Sequence, residues 1–162
     1  IELVRHFGAT CDDELRDELR LRKEEMRPLE THNRLILAIQ MRLRKLEPYV
    51  ETWPQALALR AVPANLAESL SDAEATATIL LDACGDEGAQ PILPSAALDG
   101  PAKKVAIGAV YGAAELYMLT DKSPGFTDTD LFVEKEVNAL RTMASTLPLN
   151  PAALLMSLLH RR

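Results

Sequence analysis

Few side chains in this sequence have the type and spacing that chemistry requires. The three histidines, His6, His32 and His160, lie far apart, and none has a ligand-type partner at i+3 or i+4. A metal site or a general base needs convergence, and the sequence offers none. The two cysteines, Cys11 and Cys84, match no metal spacing. They read as two free thiols in a reducing compartment rather than a disulfide. There is no phosphate loop, no nucleophile elbow and no redox cysteine pair. Glu115 stands out because it sits inside the most apolar stretch of the chain. Such a carboxylate can be buried with a raised pKa and act as an acid. The blander reading turns it toward a partner arginine or the surface. The expectation is a non-enzymatic protein with no catalytic residue, no metal and no cofactor.

The elements that would position these groups are helical. The 162 residues suffice for one domain with a single core. Hydrophobic residues make up 48%, but aromatics only 4%, and Ala and Leu abound, which favours helix over strand. The net charge is −6, and residues 52–102 hold one basic residue, Arg60, against seven acidic ones. With no basic stripe, nucleic acid is excluded as a partner. No apolar run reaches the roughly 18–20 residues of a membrane span. The chain begins at Ile1, already in helical register, so a cleaved or omitted upstream segment such as a targeting peptide is expected.

In chain order, residues 1–27 read as one helix. Leu3, Phe7, Cys11, Leu15 and Leu19 form its apolar stripe, with Asp12–Arg16 and Glu18–Arg22 as supporting ion pairs. Pro28 ends it, and Thr31 or Asn33 caps a second helix whose polar side carries Arg34, Arg42, Arg44 and Lys45. That basic side is either ordinary solvated surface or a face for anionic lipid headgroups. Pro48, Pro54 and Pro63 break the chain into a corner at Tyr49–Trp53 and a short apolar helix. Ser71-Asp-Ala-Glu74 reads as a capping box opening a helix that Gly85 stops. Residues 85–102 read as a long loop. Ala102–Leu119 reads as a buried helix with a small-residue face at Gly108, Gly112, Ala113 and Ala114. After a turn at Asp121–Asp128, Thr127 caps a helix with Leu131, Phe132, Val137 and Leu140 inward. The expected bundle spans residues 1–147. Residues 148–162 form a linker and a separate short helix whose Leu154, Leu155, Met156, Leu158 and Leu159 suit docking on a membrane or partner. The fold class is all-α.

Two blocks carry a resemblance. The first, Arg42 to Asn65, reads R-L-x-x-L-x-P-Y-x-x-x-W-P-x-A-L. The second runs through Val110-Tyr111, Glu115-Leu-Tyr-Met118 and Asp121-Lys-Ser-Pro-Gly-Phe-Thr-Asp-Thr-Asp-Leu-Phe132. In order and separation they resemble the Coq-nine family of ubiquinone-biosynthesis accessory proteins. That resemblance implies a bundle like the ligand-binding part of TetR-type regulators, enclosing a cavity for a lipid or isoprenoid quinone. It implies that Leu57, Val62, Leu66, Leu80, Val110, Tyr111, Tyr117 and Met118 line or border the cavity. It also implies a place on the matrix side of the mitochondrial inner membrane, membrane lipids as partners, a late hydroxylase to assist, and homo-oligomers as an option. Two departures qualify it. The family's D-F-N-W-Y-T-R-R surface is replaced by Ala97-Leu-Asp-Gly-Pro-Ala-Lys-Lys104, and the helix-turn-helix half is missing. A second expectation follows, of a repurposed homologue acting as a structural subunit of a respiratory or ATP synthase complex.

Overall fold

The computed structural model describes residues 1–85 and 100–146, with side chains to residue 142. Among them there are seven α-helices, short 3₁₀ turns and no strand, which makes the all-α expectation a finding. The helices are α1 (Glu2–Leu21), α2 (Lys23–Met26), α3 (Thr31–Arg44), α4 (Trp53–Arg60), α5 (Leu66–Cys84), α6 (Gly100–Met118) and α7 (Thr127–Thr146). Helix α5 packs on α6, α3 and α1, and α7 packs on α6 and α3. The core forms where these helices meet. Leu15, Leu35, Ile39, Leu46, Leu80, Ile107, Met118, Val133 and Val137 are the largest of its fully enclosed apolar residues. None of the described helices is long and apolar enough to cross a membrane. The C-terminal docking set, His160 and nearly all of the long loop lie outside the described residues.

The prolines and glycines place the breaks as read from the sequence. Pro48, Pro54 and Pro63 each sit in the first turn of a helical segment, where their missing N–H leaves no hydrogen bond unmade. Gly85 ends α5 in the left-handed conformation, φ 58° and ψ 53°.

Local patterns misplace several details. The first helix is interrupted at Arg22 (φ −94°, ψ 8°), which sets α2 off from α1. Leu3 lies outside at 80% exposure, because the four-residue spacing drifts off the core face. Asp12 is buried rather than paired with Arg16; Arg16 turns to Asp13 and Arg22 to Glu25. Helix α3 starts at Thr31 from Glu30, with no side-chain cap. Helix α5 starts at Leu66, so Ser71 and Glu74 lie within it and form no capping box. Val105, Leu116 and Leu131 are exposed, since α6 and α7 keep an outward face despite their apolar sequence.

The Asp121 turn shows where capping does occur. One Asp121 carboxylate oxygen accepts from the Ser123 N–H (2.7 Å). The other accepts from the Thr129 N–H (2.8 Å) and hydroxyl (2.6 Å). The Ser123 hydroxyl accepts from the Asp128 N–H at 3.0 Å. The N–H groups that start α7 are therefore satisfied by Asp121 and Ser123, not by Thr127. Although its burial works the other way, these hydrogen bonds hold the Asp121 carboxyl down at about 2. Arg44 ties the turn to α3 by donating to the Gly125 carbonyl at 2.7 Å and pairing with Asp130.

Candidate functional site

Two polar constellations run through the interior, and long-range contacts build both. In the first, α1 supplies Asp12, α3 supplies Arg42 and α5 supplies Thr76. Arg42 Nε donates to Asp12 at 2.7 Å, and the Thr76 hydroxyl donates to the other Asp12 oxygen at 2.9 Å. Arg42 Nη2 reaches the Gly8 carbonyl at 3.4 Å, and its guanidinium carbon lies 5.9 Å from the centre of the Tyr111 ring. Arg42 and Asp12 are 4% and 6% exposed, so the pair is desolvated. Such a pair holds only when its geometry is good and its remaining groups are met. Arg42 Nη1 is the exception: it is buried and has no hydrogen-bond partner among the described residues.

The second constellation joins the proline corner to α6. The Trp53 indole N–H donates to Glu115 at 2.7 Å, and Arg60 Nη1 stands 4.0 Å from the same carboxylate. Both Trp53 and Glu115 are 6% exposed. Burial raises the Glu115 carboxyl above the ordinary range, against the opposing pull of Trp53, Arg60 and Arg42. Burial, aided by Glu115, also pushes the Tyr111 phenol up, so it stays protonated. Phe7 meets Trp53 and Tyr49 edge-on, with ring centres 5.5 and 4.8 Å apart, and so fastens α1 to the corner. This arrangement can orient helices and hold a proton on Glu115. Neither cysteine is in a disulfide and both are buried, and burial raises the Cys11 thiol, which keeps it inert.

Two cavities flank α1. A small one of about 140 Å³ opens beside the constellations, with Asp12, Arg42, Trp53, Arg60 and Thr76 in its wall. A larger cleft of about 550 Å³ lies between α1, α2, the start of α3 and the end of α5. Its rim carries Arg16, Arg20, Lys23, Arg27 and Arg34.

Comparison with known proteins now bears on this geometry. The family model of COQ9 matches residues 102–144, the stretch of α6, the Asp121 turn and α7. Human ubiquinone biosynthesis protein COQ9, mitochondrial, is 31% identical over 153 residues, covering 90% of this chain and 45% of that protein. The protein of the same name from Xenopus tropicalis is 32% identical over 152 residues, again 90% and 45%. The Drosophila melanogaster protein is 30% identical over 141 residues, 84% of this chain and 40% of its own length. Along nearly all of its length the chain is similar to COQ9 proteins. It spans less than half the length of these relatives.

For the COQ9 resemblance, the structure places the eight cavity candidates in two groups. Leu80, Val110, Tyr111 and Met118 are buried in the core, and Leu57 packs against it. Val62, Leu66 and Tyr117 are 42%, 47% and 38% exposed, and Tyr117 stacks on Phe132 with ring centres 4.5 Å apart. None of the eight lines either of the two cavities described above. The basic side of α3 is mostly engaged within the fold. Arg42 pairs with Asp12, Arg44 holds the Asp121 turn, and Lys45 meets Glu18 and Glu14 at 3.1 and 3.5 Å. Arg34 alone of the four faces the large cleft. The residues that sequence reasoning missed are Asp12, Thr76 and Arg60, whose partners lie 30, 64 and 55 positions away, beyond any local spacing. In the stretch that ends in two lysines, Lys103 is buried and Lys104 stands 3.7 Å from the largely exposed Glu74.

Proposed function

We propose that this chain is a non-enzymatic accessory protein of ubiquinone biosynthesis, acting in the mitochondrion at the matrix face of the inner membrane and binding a lipid or isoprenoid quinone. The observation that carries the reading is the reach of the similarity. Identity near 30% runs through 90% of this chain against proteins named for ubiquinone biosynthesis and for the mitochondrion. A non-enzymatic role is supported by the use of its unusual polar groups. Asp12, Arg42, Thr76 and Trp53 are spent on joining helices, and the raised acid Glu115 is held by the indole of Trp53. Lipid binding is supported by a cleft whose size falls in the roughly 300–1,000 Å³ range of small-molecule sites.

The test is rescue. The chain is expressed in mitochondria of cells lacking their COQ9 protein, beside the full-length relative and the relative trimmed to the matching span, and ubiquinone is quantified. Recovery equal to the trimmed relative supports the accessory role. No recovery, with the trimmed relative active, overturns it. In the same cells we expect weak capture of the late hydroxylase, because the two aromatic anchors of the family's motif are replaced by Gly100 and Pro101.

A further inference from the structure

The large cleft combines two chemistries that are usually kept apart. Its floor is apolar, made by Leu19 of α1, Met26 of α2 and Ile79 and Ala83 of α5. Its rim is cationic: five basic side chains stand against two acids, Glu24 and Asp82. This runs against the whole chain, whose net charge is −6, so the cations are gathered locally on a protein whose overall field repels anions.

The rim cations are not equally committed. Arg16 pairs with Asp13 at 2.6 Å, while Arg20 and Arg27 make loose pairs at 3.5 Å with Asp17 and Glu24. Pairs this exposed hold their charges weakly. Among the described residues Lys23 and Arg34 make no ion pair, and the buried Nε of Arg34 has no hydrogen-bond partner. Arg34 packs at the end of α5. Its guanidinium lies against the bare backbone of Gly85, where a Cβ would come within 2.8 Å of Nη1. A glycine at the end of α5 thus lets a guanidinium with no ion pair among the described residues sit at the wall of a partly apolar cleft.

A floor alone would suit a neutral lipid, and a rim alone would suit a small anion. We infer that this cleft binds a single-chain amphiphile with an anionic head, carboxylate or phosphate, with Arg34 holding the head and Leu19, Met26, Ile79 and Ala83 covering the first carbons of the chain. Planar guanidinium groups meet either head through paired, charge-assisted hydrogen bonds. The inference deepens the lipid-binding reading and rests on it, but it moves the ligand away from α6 to the α1–α2 end.

The experiment is calorimetric titration of the whole chain with oleate, oleoyl lysophosphatidate and neutral monoolein, each below its micelle concentration, and with inorganic phosphate. Expected are one site for oleate or lysophosphatidate, with monoolein and inorganic phosphate each about tenfold weaker or worse. Arg34→Gln should cut the affinity for the anionic lipids by about tenfold and leave monoolein unchanged. Ala83→Leu, which raises the floor, should weaken all three lipids. Should Arg34→Gln fail to fold, Lys23→Gln on the exposed rim carries the same comparison with a smaller loss. Anionic lipid binding that neither Arg34→Gln nor Ala83→Leu alters overturns the cleft and leaves lipid binding standing. Equal affinity for inorganic phosphate overturns the amphiphile. Adsorption to anionic phospholipid vesicles without uptake of monomeric lipid overturns the single-chain site. No binding of any lipid overturns this inference and the lipid reading together.

Discussion

The interior constellations and the large cleft use the same residue types to opposite ends. Around Asp12 and Arg42 the charges are desolvated and paired at 2.7 Å, with only Arg42 Nη1 lacking a hydrogen-bond partner among the described residues, and they fix how α1, α3 and α5 meet. Around the cleft the arginines are exposed or loosely paired, and Arg34 makes no ion pair at all among the described residues. A charge already paired in the fold has little left for a ligand. An uncompensated one beside a cavity has its interaction free energy still to gain. Stability and binding should therefore separate cleanly between the two ends of α1.

The sharpest way to break that division is at Trp53. Replacing it with alanine should cost about 3–5 kcal/mol, since a large enclosed ring leaves a cavity and Glu115 loses its donor. Chemical denaturation measures it, and a variant as stable as the parent would mean that the corner is not part of the core. Next is Asp12→Ala, which strands Arg42 as a buried charge and should cost about 3 kcal/mol or more. A double-mutant cycle with Arg42→Met should show most of that loss shared between the two sites.

Asp121→Ala should cost roughly 1–3 kcal/mol, because it strips the N–H groups that start α7 of their acceptor. The sign with pH follows from a depressed carboxyl. The stabilisation is present above the ordinary value of 3.8 and is lost as pH falls toward about 2. The acid limb of the parent's stability curve should be steeper than that of Asp121→Ala over that window. Glu115 has the opposite sign. A raised carboxyl binds its proton more tightly in the folded state, so stability is highest below the ordinary glutamate value and falls as pH rises through the raised one. Glu115→Gln keeps an acceptor for the indole and should flatten that falling slope with little change at low pH. The smallest effect belongs to the cleft: Arg34→Gln should change stability by no more than about 0.5 kcal/mol. A loss as large as that at Asp12 would erase the contrast and make Arg34 a structural residue.

The sequence showed some of this and hid the rest for a physical reason. Prolines and Gly85 punctuate helices through their own backbones, so the breaks near residues 48, 54, 63 and 85 were legible one residue at a time. Trp53 and Tyr49 both lie between Pro48 and Pro54, yet Trp53 is buried and Tyr49 is 48% exposed, so the breaks alone did not decide which ring goes inside. Arg42 was not legible. On a 3.6-residue period it falls among basic neighbours and reads as surface, and only Asp12, 30 positions earlier, makes its burial tolerable. The apparent capping box at Ser71–Glu74 misled because the same four residues fit the interior of a helix equally well. The large cleft draws its rim and floor from four helices, so no single stretch announces it.

The one tryptophan gives the interior an optical reporter. Its ring touches Phe7 of α1 and its N–H rests on the acid of α6, so its emission answers to both contacts at once. Titrating Glu115 should shift the wavelength without unfolding the chain, whereas melting should move it fully to the red. An amphiphile entering the large cleft, whose wall does not include Trp53, should leave the spectrum almost still. A single fluorescence trace can thus tell a change in the core from a ligand at the other end of the same helix.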